Sequence, residues 1–187
     1  MSKRGHLIIY SGPSGVGKGT VREVFSKDDT LNLAYSISMT SRERRPLEKE
    51  GIDYFFITRE AFEEKIKNNE FLEYAEFVGN YYGTPLSYVN KLLDEGKNVV
   101  LEIETKGALE VMKKVPEAIS IFLLPPSLEA LENRLKNRAT ETEETIRYRL
   151  NRAKDEIACK DQYMYHVVNN DINEAAKEIA DIIRSQM

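Results

Sequence analysis

The sequence has a single cysteine, Cys159, no apolar run long enough to cross a bilayer, and no excess of positive charge. One thiol cannot close an internal disulfide. Cys159 also lies in a charged stretch, Asp155 to Asp161, without a neighbouring Cys or His pair to hold a metal. A reducing compartment fits that usage. Near the N-terminus only Leu7 to Tyr10 are apolar in succession before a glycine-rich turn, too few for a signal segment or a membrane span. With no export or lipidation motif to read, the expected location is the cytoplasm. Against 27 Lys and Arg stand 31 Asp and Glu, a net charge of −4, which argues against a molecule built to coat nucleic acid or an anionic membrane. Any anion site must be local.

What is present is enough for one folded unit: 187 residues, 41% of them hydrophobic. Leu7 to Tyr10 reads as a strand, followed by a glycine-rich loop and by Val21, Val24 and Phe25 at helical spacing. Val99 to Ile103 and Ile119 to Leu124 read as buried strands, each preceded by turn residues, and Val167-Val168 as a shorter one. Leu128, Leu131 and Leu135 after Pro125-Pro126-Ser127, and Ile172 to Ile183 near the C-terminus, carry helical periodicity. Strands alternating with helices predict an α/β fold with a parallel sheet covered on both faces. Residues 36–93 break the rhythm: Tyr35 to Ser38 and Tyr54 to Ile57 read as half-buried strands flanking a basic loop, Arg42 to Lys49, in an inserted lobe. Residues 134–152 lack a long apolar run and carry Arg134, Arg138, Arg147, Arg149 and Arg152, which predicts a mobile charged flap or lid. The core is then 1–35, 94–133 and 153–187.

Gly12-Pro13-Ser14-Gly15-Val16-Gly17-Lys18 fills the pattern GxxxxGK between a strand and a helix, the context in which that pattern binds nucleoside triphosphates. Glycines let main-chain N–H groups turn inward around an oxyanion, the helix N-terminus adds positive potential, and Lys18 supplies a full charge for the β- and γ-phosphates. The hydroxyl that usually follows the lysine and ligates Mg²⁺ is missing: position 19 is Gly19, and the hydroxyl comes at Thr20. That variant resembles adenylate kinases, where Mg²⁺ is held by phosphates and water more than by protein. No metal ligand is assigned, and Mg²⁺ is expected to accompany ATP. A switch GTPase is excluded, since Asn90-Lys91-Leu92-Leu93-Asp94 misplaces the Asp of NKxD by one residue.

Ser38, Arg42 and Arg45, with Tyr54 and Tyr82, place two guanidinium groups and two phenols on the inserted lobe, a set suited to a phosphate dianion. Taken alone, the arginines read more economically as a solvated basic loop and the tyrosines as core. Read in order and spacing, however, the P-loop, Ser38-x₃-Arg42-x₂-Arg45, Gly51-x-Asp53-Tyr54-Phe55-Phe56, Glu70-Phe71-Leu72-Glu73, Gly79-Asn80-Tyr81-Tyr82-Gly83-Thr84, Glu102-Ile103-Glu104 and Arg138-x-Thr140-Glu141 resemble the guanylate kinase family over nearly the whole chain.

The resemblance implies a P-loop NTPase core with an inserted nucleoside-monophosphate lobe and a short helical lid, moving the γ-phosphoryl group of ATP to GMP. It implies that Arg42, Arg45, Tyr54 and Tyr82 bind the GMP phosphate. Glu73, helped by Glu104, would accept from guanine N1–H and the 2-amino group, with Ser38 and Thr84 donating to O6. Glu102 joins this acceptor set through the same stretch, and alternation on an apolar strand predicts that Glu102 and Glu104 point to one side. Lys18, Arg42, Arg134, Arg138 and Arg149 would surround the transferring group. Asn170 is similar to the family position near the ATP adenine, while Asn169 to Asp171 read equally well as a helix N-cap. The chain departs from the family pattern at Glu102 and Glu104 (commonly Asp), Lys106 (commonly Gln) and Ala139 (usually Gly). Another nucleoside monophosphate kinase, and a scaffold domain binding phosphopeptides in a former GMP site, are the competing readings. The intact Gly12, Gly17 and Lys18 argue against the second. The sequence assigns no oligomeric state.

Overall fold

The computed structural model describes residues 3–137 and 141–187. Its centre is β1 (Leu7–Ser11), five residues buried on both faces, as a run of apolar residues in the middle of a parallel sheet must be. On one side β1 pairs with β7 (Asn98–Glu102), which in turn pairs with β2 (Leu33–Tyr35). On the other it pairs with β8 (Ile119–Leu124), and that strand with β9 (Tyr165–Val168). All four pairings are parallel, in the order β2-β7-β1-β8-β9.

Alternation along β1 divides the interior. Ile8 and Tyr10 join a cluster with Val21 and Phe25 of α1 (Lys18–Phe25) and with Ala176, Ile179 and Ile183 of α7 (Ile172–Gln186). Leu7 and Ile9 face the other way, onto Val89 and Leu93 of α3 (Leu86–Asp94) and Ala108 and Val111 of α4 (Thr105–Lys114). The sheet is thus covered on both faces, as its pattern predicted. Among the described residues, no helix is long and apolar enough to cross a membrane.

The second sheet runs β4 (Phe55–Phe56), β3 (Met39–Thr40), β6 (Asn80–Pro85), β5 (Phe71–Phe77). β5 and β6 form an antiparallel hairpin whose two turn residues, Val78 and Gly79, have φ of 49° and 73°, the pair of positive values a tight hairpin turn requires. The lobe has its own aromatic core. Phe62, fully buried on α2 (Arg59–Lys67), stacks on Phe71 at 4.3 Å and on Tyr81 at 5.0 Å between ring centres. The Thr58 hydroxyl caps that helix by accepting from the Ala61 N–H.

Two expectations change here. Of the strand read over Tyr35 to Ser38 only Tyr35 is in a strand: β2 ends there in the core sheet, residues 36–38 connect, and the chain joins the lobe sheet at Met39. Period-two alternation reports that a segment is extended, and only the partner strand decides which sheet it joins. The lobe's two longest strands, β5 and β6, escaped the reading because most of their residues are half-buried or exposed and break the apolar alternation with Glu73, Glu76 and Asn80.

The segment read as a charged flap, and through the resemblance as a short helical lid, is mostly helix. α5 (Leu128–Asn137) and α6 (Glu143–Ala158) enclose a small apolar cluster of Leu131, Leu135, Ile146 and Ala153. Those residues are separated in sequence by charges and meet only when both helices form. Arg138 and Ala139, expected to contribute to closure and hinging, lie outside the described residues.

Candidate active site

Residues 12–17 join β1 to α1, and the turn is made with Gly15 and Gly17 at φ of 83° and 95°, values that only glycine adopts freely. Gly17 is the N-cap of α1 and offers no side chain to the first turn, which also carries no acidic residue. The N–H groups at that end therefore remain available to an anion arriving from outside. The Lys18 ammonium donates to the Gly12 carbonyl at 2.7 Å. Burial lowers its pKa, while Glu156, Glu102 and Glu104 nearby pull the other way. A Cβ at Gly19 would meet nothing within 4 Å, so the absent hydroxyl at that position has no steric cause. Thr20 is exposed on the next residue.

Behind the loop stands a brace that the sequence reading missed. Asn169 is 2% exposed, and its amide donates to the Val16 carbonyl at 2.8 Å. Arg134 donates to the same carbonyl at 3.0 Å and to the Asn169 carbonyl at 3.0 Å. Both ends of its guanidinium are thus engaged with main chain. With Gly17, Thr20, Asn169 and Ile172 it lines a concavity of about 360 Å³ beside the loop. Asn170 is exposed, and neither it nor Asn169 caps α7: that cap is Asp171, whose carboxylate accepts from the N–H groups of Asn173 and Glu174. Asn169→Ala is expected to cost about 1–2 kcal/mol of folding stability, because it leaves the buried Val16 carbonyl with one donor instead of two. A urea melt of the variant beside the parent protein measures it.

In front of the loop stands α6. Arg149 donates to the Ser14 hydroxyl at 2.7 Å and is paired with Glu141. Glu156, in the last turn of the helix, accepts from the Ser14 N–H at 3.2 Å and pairs with Arg152 at 3.3 Å. Arg152 reaches on to Glu104 at 2.8 Å. Residues 149, 152 and 156 share one helical face at spacings of three and four, a periodicity present in the sequence that would have singled out Arg152 and Glu156.

Glu102 and Glu104 do not share one strand face as expected. β7 ends at Glu102, which pairs with Arg22 of α1 at 2.7 Å, and Glu104 is already the N-cap of α4. The strand ends because α4 begins, so alternation no longer applies.

The lobe brings most of its candidate residues together. Tyr54 and Tyr82 have ring centres 6.0 Å apart, and the Arg42 guanidinium lies 5.5 Å from the centre of the Tyr54 ring. Glu48 grips Arg42 with both oxygens, at 2.7 and 3.0 Å, and accepts from the Arg45 N–H at 2.8 Å. That grip holds the Glu48 carboxyl at about 2, well below the usual range. The Arg45 side chain is exposed on the same loop, and Ser38 sits half-buried where the chain enters the lobe, its carbonyl accepting from Phe55 N–H at 2.9 Å. Glu48, not anticipated from the sequence, shows that this cradle already accepts a two-oxygen anion.

Glu73 and Thr84 face each other across β5 and β6. The Thr84 hydroxyl, expected to reach a ligand, donates instead to the Glu73 carboxylate at 2.6 Å and is buried. Burial raises the Glu73 pKa, Thr84 lowers it, Glu110 raises it, and Lys114 and Glu104 act more weakly in opposite directions. A desolvated carboxylate with one free edge strongly prefers a partner that brings N–H donors.

A glycine loop with a buried lysine, a two-oxygen cradle and a buried carboxylate on one chain match a known family. The family model described as "Guanylate kinase" matches residues 4–186. A guanylate kinase of Streptococcus thermophilus is 57% identical over 187 residues, covering all of this chain and 89% of the relative, and one of Streptococcus pyogenes is 56% identical, covering all of this chain and 88% of the relative. Among solved structures, a guanylate kinase from Anaplasma phagocytophilum superposes with a TM-score of 0.70 at 34% identity, over all of this chain and 88% of that one. A shikimate kinase from Bacteroides thetaiotaomicron, 15% identical with a TM-score of 0.52 over 96% of this chain and 98% of that one, shares the fold alone. A P-loop core, an inserted lobe and full-length similarity at more than half of all positions have one reading: the chain belongs to the guanylate kinase family.

Proposed function

We propose that the protein transfers the γ-phosphoryl group of ATP to GMP, giving ADP and GDP, as a cytoplasmic enzyme of purine nucleotide metabolism. One observation carries the reading. A chain of polar contacts runs from the phosphate loop to the start of α4, from the Ser14 N–H to Glu156, to Arg152 and to Glu104, and Glu73 of the lobe lies against Gly107 in the first turn of that helix. This supports reading loop and buried carboxylate as parts of one site.

In this reading ATP lies with its phosphates on the uncapped N-terminus of α1 and Lys18, and its nucleoside in the concavity beside Arg134 and Asn169, close to Asn170. Arg134 acts by holding the loop in shape, and Arg149 and Arg138 act as the cations over the transferring group. GMP lies on the lobe. Arg42, Arg45, Tyr54 and Tyr82 take its phosphate, which displaces or shares the Glu48 contact on Arg42. Glu73 takes N1–H and the 2-amino group, with Glu104 near it. Ser38 is the donor left for O6, since Thr84 is committed to Glu73. Glu102, held by Arg22, contributes charge beneath Lys18 more readily than contact with the base.

The chemistry needs little covalent help. An oxygen of the GMP phosphate attacks the γ-phosphorus, the bond to the β-bridging oxygen breaks, and ADP leaves. The protein holds two anions in line and supplies fixed positive charge where negative charge accumulates. Closing α5 and α6 over the site would exclude water, the competing acceptor. Mg²⁺, when bound with ATP, neutralises phosphate charge. Mg²⁺ arriving with ATP would take its donors chiefly from phosphate and water, in keeping with its reluctance to shed its hydration shell. We divide the chain into a core (1–35, 94–133, 153–187), a GMP lobe (36–93) and a lid (134–152), with α3 of the lobe range packed on the core.

A coupled ADP-release assay with ATP and Mg²⁺, offering GMP, dGMP, AMP and UMP in turn, tests the proposal. Turnover is expected on GMP at least about 10²-fold above AMP, since adenine presents an acceptor at N1 and no 2-amino donor to a buried carboxylate. Equal turnover on both would refute it.

A further inference from the structure

We propose that Gly107, in the first turn of α4, is a positioning residue for guanine specificity, because its missing side chain is what leaves room for the Glu73 carboxylate. The inference rests on the reading of Glu73 as the residue that takes the guanine edge.

Gly107 lies inside a helix and has no positive φ, so its backbone conformation does not call for glycine. Glycine is also among the weakest helix formers, and alanine the strongest. The reason for it must therefore lie in what stands beside it. A Cβ at this position would fall 2.9 Å from Glu73 Oε2, 3.3 Å from its Cδ and 3.4 Å from its Cγ. The whole end of the Glu73 side chain rests on the bare surface of the helix. On its other side the Thr84 hydroxyl fixes Oε1 at 2.6 Å. The carboxylate is thus held between a hydroxyl and a glycine, on a side chain that is half-buried and not closed off from solvent.

The strand cannot retreat to relieve crowding. Lys114 lies two turns along the same face of α4, and its ammonium donates to the carbonyls of Phe71 at 3.1 Å and Leu72 at 2.7 Å. Those carbonyls sit where the register of β5 against β6 shifts, between Phe71 and Glu73. Leu72 is itself buried with Ala108 and Val111 of α4. Strand and helix are pinned together beside the contact, through Leu72 and Lys114, and the flexible element left to move is the Glu73 side chain. A methyl group at 107 would rotate the carboxylate away from its place while leaving the surrounding fold intact.

Gly107→Ala is tested by KM for GMP, KM for ATP and a thermal melt, in the parent protein and in a Glu73→Ala background. The expected result is a melting temperature unchanged or raised, KM for ATP unchanged, and KM for GMP raised about tenfold or more, the size of effect a misplaced binding group produces. In the Glu73→Ala background the same substitution should change KM for GMP no further, because the group it displaces is gone. A KM for GMP within twofold of the parent, an equal rise in both backgrounds, or parallel losses of stability, GMP use and ATP use would each overturn the proposal. If Glu73→Ala alone leaves GMP use unchanged, the base-reading assignment fails first and takes this inference with it; if it weakens GMP use and Gly107→Ala does not, only this inference fails.

Discussion

Lys18→Ala is expected to lower turnover by about 10³-fold, the scale on which one fixed charge or donor at a developing anion is worth in a water-excluded site. The ammonium sits on the Gly12 carbonyl at the mouth of the loop, and among the described residues no carboxylate forms an ion pair with it. Burial already disfavours its charge, so its positive form is held by Glu156, Glu102 and Glu104 at a distance and would gain most from phosphate oxygens brought alongside. Removing it takes away stabilisation that grows as the bond to the β-bridging oxygen breaks. The loss should therefore fall on kcat more than on KM for GMP. A steady-state assay with both substrates varied checks this, and an alanine variant with turnover within tenfold of the parent would remove Lys18 from the mechanism.

Glu73→Gln is expected to weaken GMP binding by about 10²-fold and leave ATP binding unchanged. Two hydrogen bonds to a buried acceptor are at stake, each on the order of 1–3 kcal/mol, and a glutamine would turn an N–H₂ toward a base edge that also donates. Calorimetry with each nucleotide separates the two effects, and an unchanged GMP Kd would show that some other group reads the base. The pH dependence has a definite sign. Because burial lifts the Glu73 carboxyl above its ordinary 4.5, the accepting, ionised form is lost on acidification sooner than an exposed carboxylate would lose it, and GMP affinity should fall first. For folding the sign is reversed. The folded chain takes up this proton more readily than the unfolded one, so Glu73 adds stability as pH falls through its raised value towards 4.5.

The phosphate loop was legible because its chemistry is local. Seven consecutive residues, Gly12 to Lys18, running from the end of a strand into the first residue of a helix, create the turn, the free N–H groups and the lysine together, and no distant partner is needed. The acceptor site was legible only through a family pattern. Arg42, Tyr54 and Tyr82 are up to forty positions apart, and nothing in their spacing says that β3, β4 and β6 will lie side by side. Glu48 passed unnoticed because a lone glutamate in a basic loop reads as solvated, and its side chain becomes the partner of Arg42 only once the loop folds back on itself. Arg134 was expected over the transferring phosphate. It is instead held by the carbonyls of Val16 and Asn169, a contact spanning more than a hundred residues from Val16.

The sequence by itself determined the parallel core, the glycine loop with Lys18 at its end, and the family, because each depends on short-range periodicity or on an ordered set of motifs. Tertiary structure alone decided which sheet each lobe strand joins, that Asn169 and Arg134 brace the loop, that Thr84 serves Glu73, and that Gly107 gives Glu73 its room. Those outcomes turn on distances of three ångströms between residues from eleven to more than a hundred positions apart, which no local pattern encodes.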